Sequence, residues 1–233
     1  MNSMTPITFP SNGAGTSVPA AQRNRVLRNT YWLLALSMVP TVLGAWIGVS
    51  TGIASAMSPG IGLIVFLGGA FAFMFAIEKT KNSAAGVPML LAFTLFMGLM
   101  LSRLVGQVLG LANGASLVML AFAGTAAIFL GMASLSSMIK RDLSSMGKFL
   151  FIGAVMLLVA GIANIFIQSN ALTITLAVLA IGIFSAFILH DLKRVQDGLE
   201  TNYISATLSV YLSLYNVFQS LLALLGLASG REE

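Results

Sequence analysis

The chain has 233 residues, with 12 Lys and Arg, 7 Asp and Glu and one His, for a net charge of +5. Only 8% of it is charged and 58% is hydrophobic, where soluble domains carry about 25% charge, so neither a solvated globular surface nor a disordered chain fits. It has no cysteine, which removes disulfide frameworks and thiolate metal sites.

What remains is a polytopic membrane protein, read from its N-terminus onward. Residues 1–22 carry no charge and include Pro6, Pro10 and Pro19 among Ser, Thr, Asn and Gly. No basic stretch followed by an apolar run and a cleavage site precedes Arg23, so this segment is expected to be a flexible cytoplasmic tail rather than a secretory signal. Residues 23–233 then read as a single transmembrane domain. A helical span needs about 20 apolar residues. Such runs occur at Tyr31–Ile53, Gly60–Ile77, Ala84–Ser102, Ala115–Ile139, Phe149–Gln168, Ala171–His190 and Tyr203–Ala228. The breaks between them carry turn chemistry, as in Ser58-Pro59-Gly60, Asn113-Gly114 and Ser169-Asn170. Tyr31, Trp32 and Trp46 suit the aromatic belts at the two interfaces of the first span.

Loop charge sets the expected orientation. With the N-terminus inside, the inner segments hold Arg23, Arg25, Arg28, Lys79, Lys81, Lys140, Arg141, Lys148, Lys193 and Arg194, and the outer ones hold Arg103 and Arg231. Ten against two is the positive-inside pattern, and it alternates correctly only for an odd number of spans. Seven helices with the N-terminus inside and the C-terminus outside follow. The basic residues are thus loop residues that orient the chain, not a nucleic-acid surface.

Catalytic patterns are absent. One histidine cannot furnish an H-E-x-x-H zinc site, and His190 has no serine motif nearby. The acids near the membrane, Glu78, Asp142, Asp191, Asp197 and Glu200, all fall on the inner side, so no pair faces across a membrane-buried site. No enzyme activity and no cofactor are expected.

Three glycine patterns recur: Gly44-x3-Gly48-x3-Gly52, Gly106-x3-Gly110-x3-Gly114 and Gly226-x3-Gly230. Glycines four apart let helix backbones approach closely in lipid, either inside one bundle or between two copies of the chain. On the seventh span, Ser205, Ser209, Ser213, Asn216 and Ser220 fall within an arc of about 80°. Such a stripe should face protein or a wet cavity, with Asn164 and Gln168 of the fifth span as natural partners. It reads either as interhelical hydrogen-bonding or as the wall of a proton or ion path. Asp191 closes the sixth span and has Lys193, Arg194, Lys79 and Lys81 as candidate partners. It is either an ordinary ion-paired helix end or a titrating latch.

Several separated stretches resemble the transmembrane Bax-inhibitor-motif family. Ala121-x3-Thr125-Ala126-Ala127-Ile128-Phe129 matches the family's A-x3-T-A-x-x-F element, and Gly98-x-x-Leu101-Ser102-Arg103 stands where the family has G-x-x-L-G-P. Val26–Tyr31, Ala163–Phe166, Glu200–Ile204 and Ser213–Asn216 are similar to the bacterial branch that modulates the FtsH membrane protease. The resemblance runs from Val26 to Ser229. It implies a seven-helix bundle with the last helix central between two three-helix layers, a place in the bacterial inner membrane, and the FtsH complex as partner. Calcium-leak members of the family use two aspartates as a pH-sensitive latch. Asp191 falls on the first of these and Ser213 on the second, so the acid pair is incomplete, and Arg103 replaces the proline of the third-span element. The resemblance therefore implies a protease modulator, with a pH-sensitive cation leak as the alternative. In either case Asp191, Ser213, Asn216 and Asn164 are the candidate sensing or polar-core residues.

Overall fold

The computed structural model describes residues 19–230, so most of the expected tail lies outside the described residues. These residues form eight helices: α1 (Ala20–Thr51), α2 (Ile53–Ala56), α3 (Pro59–Thr80), α4 (Gly86–Leu109), α5 (Gly114–Met138), α6 (Met146–Ile167), α7 (Asn170–Gln196) and α8 (Tyr203–Ser229). All except the four-residue α2 are long and apolar enough to cross a membrane. The seven expected spans are therefore present, and three of them run well past one end of their apolar runs. Helix α1 begins at Ala20 and carries Arg23, Arg25 and Arg28 in its first turns. Helix α4 continues through Arg103 and Gln107. Helix α7 runs past His190 to Gln196, so Asp191 lies within the helix instead of closing it. The reason is packing: Ile188, Leu192 and Val195 recur at helical spacing and are fully buried, which extends the helix beyond its hydrophobic stretch.

The ends are set locally. Helix α7 stops at Gly198, whose φ of 77° is a left-handed conformation that glycine adopts without strain. The Gly198 N–H donates to the Val195 carbonyl at 3.1 Å and the Leu199 N–H to the Arg194 carbonyl at 2.9 Å, the paired bonds of a Schellman ending. Helix α8 then starts on Asn202, whose side chain accepts from the N–H groups of Ile204 at 2.9 Å and Ser205 at 3.2 Å.

The most buried helices are α4 and α8, and α1 is seated on α4. Helices α1 and α4 meet backbone to backbone. A Cβ on Gly44 would collide with the Leu95 carbonyl, one on Gly48 with the Ser102 side chain, and one on Gly98 with the Thr41 carbonyl. Gly44 and Gly48 of the first glycine pattern are thus used inside the bundle, whereas Gly52 ends α1 at a φ of 68° and meets nothing within 4 Å. Helix α8 packs against α1, α3, α4, α5 and α7. Its Tyr211 lies edge-on to Phe93 of α4, with ring centroids 6.0 Å apart, and its hydroxyl meets the Thr41 hydroxyl of α1 at 2.9 Å. Helix α6 is peripheral: it packs on α7 and buries none of its residues.

Candidate functional site

A set of polar groups gathers where α7 turns into α8. Arg23 of α1 donates through Nη1 to the Gln196 carbonyl at 3.0 Å. The Gln196 amide in turn donates to the hydroxyls of Ser136 at 2.8 Å and Ser137 at 3.2 Å on α5. Asn202, besides capping α8, donates to the Lys81 carbonyl at 3.2 Å and to Asn82 Oδ1 at 2.8 Å in the α3–α4 turn. The end of α7 is thereby tied to α1 and α5, and the start of α8 to the α3–α4 turn. These contacts cross the bundle between residues far apart in the chain.

Asp191 lies on the same helix, about a turn before Gln196, but shares no bond with these groups. Its Oδ1 lies 3.1 Å from His190 Nδ1, and both side chains are nearly enclosed. The other face of the imidazole lies against Gly147 at the start of α6, where a Cβ would stand 2.8 Å from Nε2. The cations proposed as partners for Asp191 are engaged elsewhere or stand apart. Lys193 is buried and pairs with Asp197 one turn on, and Lys81 pairs with Glu78 at 2.5 Å. The partner that Asp191 does have, the adjacent histidine, is the one sequence reasoning passed over. In the α5–α6 loop the Ser144 hydroxyl and N–H both donate to Asp142, which holds that carboxyl below the usual aspartate range.

The other candidates are not brought to Asp191. Ser213 is buried and donates to the Ser209 carbonyl at 3.1 Å, and Asn216 donates to the Leu212 carbonyl at 2.8 Å, both within α8. Asn164 does not meet the α8 stripe. It closes the α6–α7 turn, accepting from the Ser169 N–H at 3.1 Å and donating to the Thr173 hydroxyl at 2.7 Å. Gln168 adopts a left-handed conformation at the end of α6 and is exposed. The stripe is not buried against α6 as a whole, either. The buried side chains of α8 cover an arc of about 200° at ~100° per residue, and Ser205, Ser209, Asn216 and Ser220 lie on the remaining, least covered side.

All of these contacts fall within the stretch, residues 23–230, that matches the family described as "Inhibitor of apoptosis-promoting Bax1". The chain belongs to the Bax inhibitor family. Its similarity to other bacterial members is spread over nearly the whole length. It is 38% identical over 206 residues to the Escherichia coli protein named modulator of FtsH protease YccA, covering 88% of this chain and 91% of that one. It is 37% identical over 213 residues to an uncharacterised Neisseria meningitidis protein, covering 90% and 94%. It is 35% identical over 211 residues to an uncharacterised membrane protein of Vibrio cholerae, covering 91% and 93%. As a Bax inhibitor family member with seven spans, this is a membrane protein whose described charged residues, Arg103 apart, lie at one end of the bundle.

Proposed function

We propose that this chain is an inner-membrane regulatory protein that binds the FtsH protease complex and modulates its action on membrane substrates. The observation that carries this reading is the 38% identity, over nearly the full length of both chains, to the Escherichia coli modulator of FtsH protease. With the N-terminus inside, as the loop charges direct, the α7–α8 end with its Arg23, Gln196 and Asn202 contacts faces the cytoplasm. There it presents a cross-tied, basic surface to a cytoplasmic partner. The tail expected over residues 1–22, of which Ala20–Gln22 open α1, is the proposed handle by which the protease engages the chain.

The test is capture of the tagged full-length protein from crosslinked membranes, together with pulse-chase of a membrane substrate of the protease. Recovery of FtsH and a longer substrate half-life are expected. A capture without FtsH and an unchanged half-life would overturn the reading.

A second reading, a pH-sensitive cation leak, draws on the enclosed His190–Asp191 pair. The hydroxyl of Ser213, where the leak members carry a second acid, weighs against it. Calcium flux into proteoliposomes separates the two. Flux that is low, insensitive to pH and unaltered by Asp191→Asn is expected of a modulator, whereas acid-activated flux abolished by Asp191→Asn would establish the leak.

A further inference from the structure

The opposite end of the bundle carries a different feature. By the alternation of the helices, Glu78, Asp142, Asp191, Asp197 and Glu200 all lie at the α7–α8 turn end, together with every described Lys and Arg except Arg103. Arg103 stands alone on the far half, six residues before the end of α4, or about 9 Å from it along the helix. It forms no ion pair among the described residues. Its one hydrogen bond among the described residues, from Nη1 to the Met57 carbonyl, is 3.4 Å long, at the weak limit for such a bond. A guanidinium in or beside hydrocarbon is costly unless it is matched by an acceptor or an anion, and this one has most of its donors unused.

What Arg103 faces is a cleft of about 350 Å³ between the α2–α3 link, α4, α6 and α8. Met57, Leu63, Phe66, Met100 and Ile165 make its walls apolar, and the Gln219 amide of α8 adds a polar group that has no hydrogen-bond partner among the described residues. The rim is the first turn of α3. It opens on Pro59 with no side-chain cap from Ser58, so the positive end of that helix is unopposed. The cleft thus combines a forked cationic donor, an amide donor and a positive helix end with walls suited to hydrocarbon.

We propose that this cleft binds a phosphate group, held by Arg103 and Gln219, with an anionic phospholipid headgroup or free phosphate as its source. Guanidinium and phosphate match in charge and in bidentate geometry. The anion supplies the counter-charge that no described acid provides at this end. The apolar walls favour the lipid, because a glycerophosphate placed against Arg103 lays its acyl chain along Leu63, Phe66 and Ile165, which free phosphate leaves uncovered.

The full-length protein extracted from vesicles of equimolar phosphatidylglycerol and phosphatidylcholine tests this by native mass spectrometry. A parallel arm measures thermal unfolding of the delipidated protein with added inorganic phosphate. Wild type is expected to retain phosphatidylglycerol preferentially. Arg103→Gln should lower that retention about tenfold, the loss of one charge-assisted contact, and Arg103→Lys should restore part of it. Gln219→Leu, which leaves the guanidinium in place, should lower retention by a smaller factor and serves if Arg103→Gln does not fold. Stabilisation by inorganic phosphate that is lost in the same variants, without lipid retention, would support the phosphate site and assign it to the free ion. Equal retention of both lipids together with no response to phosphate would overturn the proposal, as would retention and stabilisation unchanged in all the variants.

Discussion

Helices α4 and α6 are alike in length and span-forming character and opposite in role. Each is a run of more than 20 residues able to span a membrane, and α6 is the more uniformly apolar of the two. Yet α4 buries ten of its residues, among them Gly98, Ser102 and Thr94, while α6 buries none. In water the more apolar helix would be the core. In lipid, where hydrocarbon is as apolar as leucine, the interior is selected by small residues that allow close approach and by hydroxyls that need partners. The interior is therefore marked by Gly, Ser and Thr, and continuous hydrophobicity marks the lipid face.

This contrast can be broken most forcefully at the glycine seam. Gly98→Leu drives a side chain into the Thr41 carbonyl and should destabilise the fold by about 3 kcal/mol or more. Gly161→Leu on α6, where a Cβ meets nothing within 4 Å, should stay within about 0.5 kcal/mol of wild type. Thermal unfolding of both variants in the same detergent checks the pair, and equal losses would dissolve the distinction between core and periphery. A smaller effect is expected at the α7 end. Gln196→Ala removes the link from α7 to Ser136 and Ser137 and should cost about 1 kcal/mol, with faster amide exchange confined to the last turns of α5 and α7. Tyr211→Phe keeps the ring on Phe93 but deletes the bond to Thr41, and should cost about 0.6 kcal/mol, typical of interhelical hydrogen bonds in membranes.

The smallest effect lies in the exposed α5–α6 loop. The Ser144 hydrogen bonds to Asp142 favour its ionised form. Their stabilising effect is therefore present above the ordinary aspartate pKa and is lost as the pH falls through the lowered one. Ser144→Ala should raise the Asp142 pKa toward the ordinary value, as read by carboxyl-carbon NMR titration, with no measurable change in unfolding temperature at neutral pH.

The spans were legible because lipid imposes a length and an apolar composition that a single sequence displays. The close packing promised by Gly44 and Gly48 was legible as well, as a reading, though not the identity of α4 as their partner. The ends were less so. Helix α7 outran its apolar run because Leu192 and Val195 pack beneath charged neighbours, and amphipathic ends of this kind dilute hydropathy. Asn164 was drawn toward the α8 stripe by chemistry alone, whereas its local bonds to Ser169 and Thr173 close a turn. Polar residues near a helix end satisfy the nearest backbone first. The Arg23–Gln196–Ser136 contacts stayed hidden because they join residues 173 and 60 positions apart, a pairing that periodicity cannot express.

The seam between α1 and α4 also determines how the molecule carries mechanical load. A pull applied to the Arg23 end of α1 acts along the helix axis, so Gly44, Gly48 and Gly98 must slide past the backbone they touch together, and the Thr41–Tyr211 bond must shear with them. A pull that lifts α6 sideways meets chiefly its contacts with α7, which can open one after another like a peeled strip. Tension entering at the N-terminus is therefore shared across the centre of the bundle at once, and this anisotropy makes α1 the direction in which the protein is hardest to unravel.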